Sequence, residues 1–327
     1  MRYLVTGGAG FVGSHLSEAL LAEGHEVCAI DDLSTGSVDN VAHLRSNPRY
    51  RLKVDSIFNA PLTAELIDAS DAVFHLAASV GVFQIVESPV KTIETNIRGT
   101  EIVLSNAVKK KKPTLLASTS EVYGKSTKVP FSEDDDCVLG PSSRGRWAYA
   151  ASKLVDEFLA LSYFKEKKLP TIVVRLFNTV GPRQTGRYGM VLPRFVRQAL
   201  DGGPITIFGD GRQSRCFGDV GDVVRAVVRL SREPRAHGQV FNIGNDQEIT
   251  IEDLAKAVRD RANPAASIQY VPYDQAYEAG FEDMRRRVPD LRKIRDLIGY
   301  RPTLNTEQII DRVIEFERGA KRGPLPS

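Results

Sequence analysis

Short apolar runs rich in β-branched residues punctuate the first half of the chain: Tyr3–Thr6, Glu26–Asp31, Tyr50–Val54, Ala72–Leu76, Thr114–Ser118 and Thr171–Leu176. They predict strands. Their near-continuous apolarity predicts a parallel sheet covered on both faces. Between them, Phe11–Glu23, Pro89–Lys111 and Trp147–Lys167 carry the spacing of helices. Strand–helix alternation of this kind predicts a doubly wound α/β sheet.

The texture changes after Asn178. Gly181-Pro182-Arg183, Gly186, Gly189, Gly202-Gly203-Pro204 and Gly209-Asp210-Gly211 crowd together with short apolar pieces between them. Turns this dense predict a smaller region built from excursions off the sheet. Val240–Ile243 reads as one more sheet strand. The expected organisation is a cofactor-binding domain over 1–178, to which the chain returns near 214–245, and a substrate-binding domain over 179–213 and 246–327. Lys321–Ser327, with two prolines, reads as a loose tail.

Composition narrows the function classes. The 44 basic and 41 acidic residues leave a net charge of +3, too balanced to argue for nucleic acid or a membrane surface. Lys109–Lys112 closes a predicted helix before Pro113, where cations complement the helix dipole. No segment approaches the ~20 continuous apolar residues of a membrane span, and the opening residues read as a strand, not a signal peptide. Cys28, Cys137 and Cys216 are odd in number and far apart, which fits a reducing cytoplasm. Neither they nor the five histidines show metal-ligand spacing, so no metal is expected.

Gly7, Gly10 and Gly13 follow the first strand and open the first helix, within Thr6-Gly7-Gly8-Ala9-Gly10-Phe11-Val12-Gly13. This context marks a dinucleotide cradle: Gly7 for the tight turn, Gly10 for close approach to the pyrophosphate, Gly13 for helix–strand packing, and a helix N-terminus facing phosphate. Phe11 and Val12 begin that helix. Asp31 and Asp32 end the second strand, where an acid accepts from ribose hydroxyls and repels a 2′-phosphate, so NAD is expected. Asp55, ending the third strand, is a candidate for the adenine amino group or a plain turn residue. Leu76, Ala77 and Ala78 end the fourth strand with side chains that let a cofactor lie close. The expected fold is therefore a Rossmann-type doubly wound parallel sheet with a smaller C-terminal substrate-binding domain.

Tyr149 and Lys153 are four positions apart on a predicted helix and share a face. A free phenol has a pKa near ~10; a neighbouring ammonium, with a positive nicotinamide, makes the phenolate accessible. A tyrosinate then takes a hydroxyl proton as hydride leaves to the cofactor. Thr119, ending the preceding strand, is expected to anchor the same substrate oxygen.

Taken together, Thr6–Gly13, Asp31-Asp32, Ser118–Gly124, Tyr149–Lys153, Arg175–Asn178 and Gly181-Pro182-Arg183 resemble the extended short-chain dehydrogenase/reductase family over nearly the whole chain. The resemblance implies a nucleotide-sugar substrate, NAD recycled within each turnover, and a homodimer through two long helices. It also implies that Asn178 and Arg215 hold the substrate diphosphate, and that Arg183 is a further substrate-binding residue.

Thr119-Ser120-Glu121, Arg146-Trp147-x-Tyr149, Arg215-Cys216-Phe217-x-Asp219 and Arg286-Arg287-Val288-Pro289-Asp290 further resemble the UDP-glucuronate decarboxylases. That resemblance implies oxidation at C4, loss of carbon dioxide and re-reduction. Glu121 and Ser120 would steer the sugar and relay protons, and Arg287 would face the carboxylate or assist reprotonation. As a proton donor, buried Glu121 would need a raised pKa. The rival is a UDP-glucuronate or UDP-hexose 4-epimerase, which shares every cofactor and tyrosine feature. A non-catalytic NAD-sensing regulator is disfavoured by the presence of both Tyr149 and Lys153.

Overall fold

A computed structural model describes residues 1–80, 88–186, 190–276 and 284–319. The expected tail at 321–327 and the turn glycine Gly189 lie outside the described residues.

Seven strands form one parallel sheet: β1 (Arg2–Thr6), β2 (Glu26–Asp31), β3 (Tyr50–Val54), β4 (Ala72–His75), β5 (Thr114–Thr119), β6 (Thr171–Leu176) and β11 (Gln239–Ile243). Their order is β11-β6-β5-β4-β1-β2-β3, with every pairing parallel. The order reverses between β1 and β4, and a crevice opens there beyond the carboxyl ends of the strands.

The apolar runs are explained by what covers them. Leu4, Val73, Leu116 and Val173 face one core, completed by α2 (Ala60–Asp68), α3 (Pro89–Ala107) and α4 (Ala148–Lys167). Tyr3, Val5, Phe74, Leu115 and Val174 face the other. That second core is completed by α1 (Phe11–Ala22) and α6 (Val220–Ser231). Alternate residues of one strand thus serve opposite cores, and neither face has room for a polar alternation.

A second lobe has its own core. It comprises α5 (Val191–Leu200), α7 (Ile251–Ala262), α10 (Thr306–Gly319) and the parallel pair β8 (Ile205–Phe208) and β13 (Ile268–Val271). Between the lobes, β7 (Thr179–Val180) pairs with β10 (Gly218–Asp219). A three-stranded sheet runs β12 (Glu248–Thr250), β9 (Ser214–Cys216), β14 (Arg286–Arg287). The return to the large sheet is therefore carried by α6 and β11, while 214–216 pairs within the small sheet. α8 (Tyr273–Ala276) follows β13, and α9 (Arg292–Ile298) packs back on the first lobe through Ile294 and Ile298.

Lys109–Lys112 closes α3 as a helix end. Lys109 bonds Asn106, Lys110 pairs with Asp68, and Lys111 and Lys112 reach the carbonyls of Lys167 and Ser70.

Candidate active site

A cleft of about 570 Å³ runs from the β1–α1 turn to the small sheet. Gly7, Gly10, Phe11, Val12, Gly13, Asp31, Asp32, Asp55, Leu76, Ala77, Ala78, Thr119, Glu121, Tyr149, Asn178, Arg183, Arg215 and Arg287 all line it. Ser120 and Lys153 do not.

The cradle end suits a dinucleotide. Gly7 has φ +70°, and a side chain on Gly13 would stand 2.1 Å from the Gly7 carbonyl oxygen. Gly10 caps α1 without a side-chain hydrogen bond, and the first turn holds no acid. A helix N-terminus left open at the cleft is an anion site. Asp31 accepts from the backbone N–H of Ala9 and of Leu33, at 2.9 and 2.8 Å, so its carboxylate also shapes the loop. Asp55 combines both expected characters, since it lines the cleft while accepting from Ser56 and Asn59. Arg183 lies on the cradle side. It makes a two-pronged contact with Glu18 of α1, at 2.9 and 2.8 Å, so its charge is largely spoken for by that acid.

The sugar end gathers charge. Arg215 on β9 lies in register beside Arg287 on β14, and both line the cleft. Arg287 Nη2 stands 3.6 Å from Glu121 Oε1, and its Nη1 stands 3.5 Å from Asn178 Oδ1. Arg146, in the turn leading into α4, donates to the other Glu121 oxygen. Burial alone would raise the Glu121 pKa, but Arg146, Arg287 and Arg215 outweigh it and lower it to about 2. The raised pKa that proton donation would need is therefore not met: the arginines hold Glu121 ionised at neutral pH.

Ser120 is fully buried, and its Oγ has no hydrogen-bond partner. It opens the turn after β5 from the core side, so the proton relay expected of it has no direct contact with the cleft. The basic run at 285–287 divides in the same way. Arg286 is exposed and pairs with Glu248, whereas Arg287 is buried.

Tyr149 hydrogen-bonds Thr119. Its phenol is held protonated: burial, then Glu121 and Asp156, raise its pKa against the lowering effects of Thr119 and Arg146. Lys153 is buried with its ammonium 2.7 Å from Asp156 Oδ2. Sequence reading missed Asp156, and it left Arg146 without a role although the residue sits three positions before Tyr149. It also missed Arg194, whose guanidinium lies 4.1 Å over the Phe208 ring in the second-lobe part of the cleft. Nothing in the local sequence announces that pair.

The model of a family described as GDP-mannose 4,6 dehydratase matches residues 4–313. The chain belongs to this family. Among relatives, it is 40% identical over 318 residues to a UDP-N-acetyl-alpha-D-glucosaminuronate decarboxylase of Bacillus cytotoxicus, covering 97% of this chain and 98% of that one. It is 35% identical over 314 residues to UDP-glucuronic acid decarboxylase 1 of Arabidopsis thaliana, covering 96% and 69%. Among solved structures, the UDP-glucuronic acid 4-epimerase of Bacillus cereus, in complex with UDP-glucuronic acid and NAD, superposes with a TM-score of 0.87. That match has 29% identity and covers 97% and 99% of the two chains. The family of sugar-nucleotide enzymes thus spans decarboxylation and epimerisation on one scaffold, and the sugar end of the cleft must separate them.

Proposed function

We propose that the protein is an NAD-dependent decarboxylase of a UDP-linked glucuronate. The observation that carries this reading is Glu121, held ionised between Arg146 and Arg287 in the cleft that Tyr149 also lines. Two guanidinium groups against one carboxylate leave positive charge for a substrate acid. The decarboxylase relatives at 35–40% identity support the same reading.

Gly7, Gly10, Gly13 and Asp31 would hold NAD in the cradle, where it would supply a reversible hydride acceptor for C4 of the sugar. Burial holds Tyr149 protonated at rest; once the positive charges of Lys153 and of bound NAD shift it to the phenolate, it accepts the O4 proton, with Thr119 holding the same oxygen. The new C4 ketone is β to the C6 carboxylate, so the C5–C6 bond breaks and its electron pair forms an enolate. Tyr149 and Thr119 donate hydrogen bonds to the enolate oxygen. Solvent supplies the C5 proton, and Tyr149 returns its own to O4. Arg215 and Asn178 suit the diphosphate, and Phe208 under Arg194 suits a flat base.

A homodimer is part of this proposal. α3 and α4 expose Val90, Ile93, Val155 and Phe158, the last at 65%, an apolar face of the kind that a second copy covers. Among the described residues no helix is long and apolar enough to cross a membrane. The three free cysteines suit the cytoplasm.

The test is incubation with NAD and either UDP-glucuronate or its 2-acetamido counterpart, with products followed by mass spectrometry and proton NMR. Loss of carbon dioxide to the UDP-pentose is the expected result, with one solvent deuterium at C5 in heavy water. An isomer of unchanged mass would instead make the protein a 4-epimerase.

A further inference from the structure

Lys153 lies too deep to line the cleft, and its ammonium is turned to Asp156, itself wholly buried. Behind that carboxylate stands a set of buried polar groups. Thr100 of α3 lies near Asp156 and acts to lower its pKa, and its hydroxyl oxygen stands 3.2 Å from His75 Nε2. His75 is neutral, its pKa lowered to about 3 by burial and then by Lys153. With Nε2 protonated, Nδ1 accepts from Thr6 Oγ1 at 2.7 Å. Thr6 in turn accepts from the Ala77 backbone N–H at 3.2 Å. The set therefore reaches from a residue lining the cofactor cleft, across β1, β4 and α3, to the lysine of the oxidation site.

We propose that Asp156 is a positioning residue of this site: it holds the Lys153 ammonium back from the Tyr149 phenol and so governs how much of that charge the phenol feels. The inference rests on the reading of Tyr149 as the base of the oxidation step. The charged and titratable groups around the pair are few. Glu121 faces Tyr149 from the turn after β5 and Arg146 from the turn before α4, Asp156 faces it from its own helix, His75 faces Lys153 from β4, and Glu157, paired with Arg175, faces Asp156 from the same helix. Of these, Glu121, Asp156 and Glu157 are the anions, and Asp156 is the one in contact with Lys153. Removing a negative charge makes each neighbouring group release its proton more readily.

The test is the pH dependence of kcat/KM in the NAD-loaded protein, alongside single-turnover formation of reduced nicotinamide. Asp156→Asn should move the acid limb to lower pH by about one unit. Thr100→Val and Asp156→Glu, which both keep the carboxylate charge, should leave that limb in place while lowering kcat. A uniform loss of rate in Asp156→Asn with its limb unmoved would overturn the proposal. Should that variant not fold, a moved limb in Thr100→Val or Asp156→Glu would overturn it equally. Failure of the underlying reading shows separately, as Tyr149→Phe retaining the wild-type rate and acid limb.

Discussion

Arg146 donates to the Glu121 carboxylate from the turn that leads directly into the helix carrying Tyr149. The acid that follows β5 and the base at the start of α4 are thus tied together before any substrate arrives. The tie also sets the acid's charge. Both side chains are nearly buried, 5% and 13% exposed, so each offsets much of the cost of burying the other's charge.

Arg146→Met should consequently destabilise the protein by about 3 kcal/mol at neutral pH, because it leaves a buried carboxylate with less compensation. The pH dependence has a defined sign. Glu121 titrates lower in the folded chain than its ordinary 4.5, at about 2. Its contribution is full above the ordinary value and is lost as pH falls through that window. Urea unfolding should show the deficit of the variant shrinking between neutral pH and pH ~3. An equal deficit at both would argue that Arg146 acts through packing on Trp147, over which its guanidinium lies at 5.6 Å.

Tyr149→Phe removes the one phenol that lines the cleft beside Thr119. Turnover should fall by about 10³-fold, the scale of a lost general base, while NAD content after purification stays unchanged. Near-wild-type activity would remove the hydroxyl-oxidation mechanism altogether.

The outcome shows which features were local. Strands β2, β3 and β6 have the bounds that their runs predict, since each is bracketed by turn residues; β2 and β6 are mostly buried, whereas β3, at the sheet edge, exposes Arg51, Lys53 and Val54. The cradle was legible for the same reason: its glycines, strand and helix are contiguous. The ionisation of Glu121 was not, because Arg146, Arg215 and Arg287 come from three distant segments and meet only through β9 and β14. Arg183 looked free to bind substrate, and no spacing rule links it to Glu18, 165 positions earlier. Asp156 was missed because an acid three positions after Lys153 is commonplace on a helix; its consequence comes from the burial of both.

Gly13→Ala tests the cradle. The added carbon would lie 2.1 Å from the Gly7 oxygen and 2.8 Å from the Gly8 Cα, both backbone atoms that no rotamer change can clear. The helix must shift away from β1, costing about 2 kcal/mol. NAD binding measured by calorimetry should weaken by at least tenfold, because the open helix end no longer addresses the pyrophosphate. Undiminished affinity would place the cofactor phosphates elsewhere.

Phe158→Glu tests the proposed dimer. The ring is mostly exposed on α4 near Val155, and a carboxylate there costs the isolated chain little. Sedimentation should find the parent protein as a dimer and the variant as a monomer with unchanged circular dichroism. A parent that sediments as a monomer would sink the proposal.

Glu121→Gln separates the two chemical steps. C4 oxidation draws on Tyr149 and the bound NAD, and losing the Glu121 charge only eases deprotonation of that phenol, so oxidation is not slowed. Carbon dioxide loss moves negative charge from the sugar carboxylate toward the enolate. Guanidinium groups that grip the carboxylate tightly stabilise the ground state and slow that movement. Glu121 offsets Arg146 and Arg287; once it is neutral, their pull on the substrate acid rises. Reduced nicotinamide should then accumulate in single turnover while release of labelled carbon dioxide falls by about tenfold or more, the scale of one charged contact. Equal losses in the two signals would reduce Glu121 to a scaffold for its arginines.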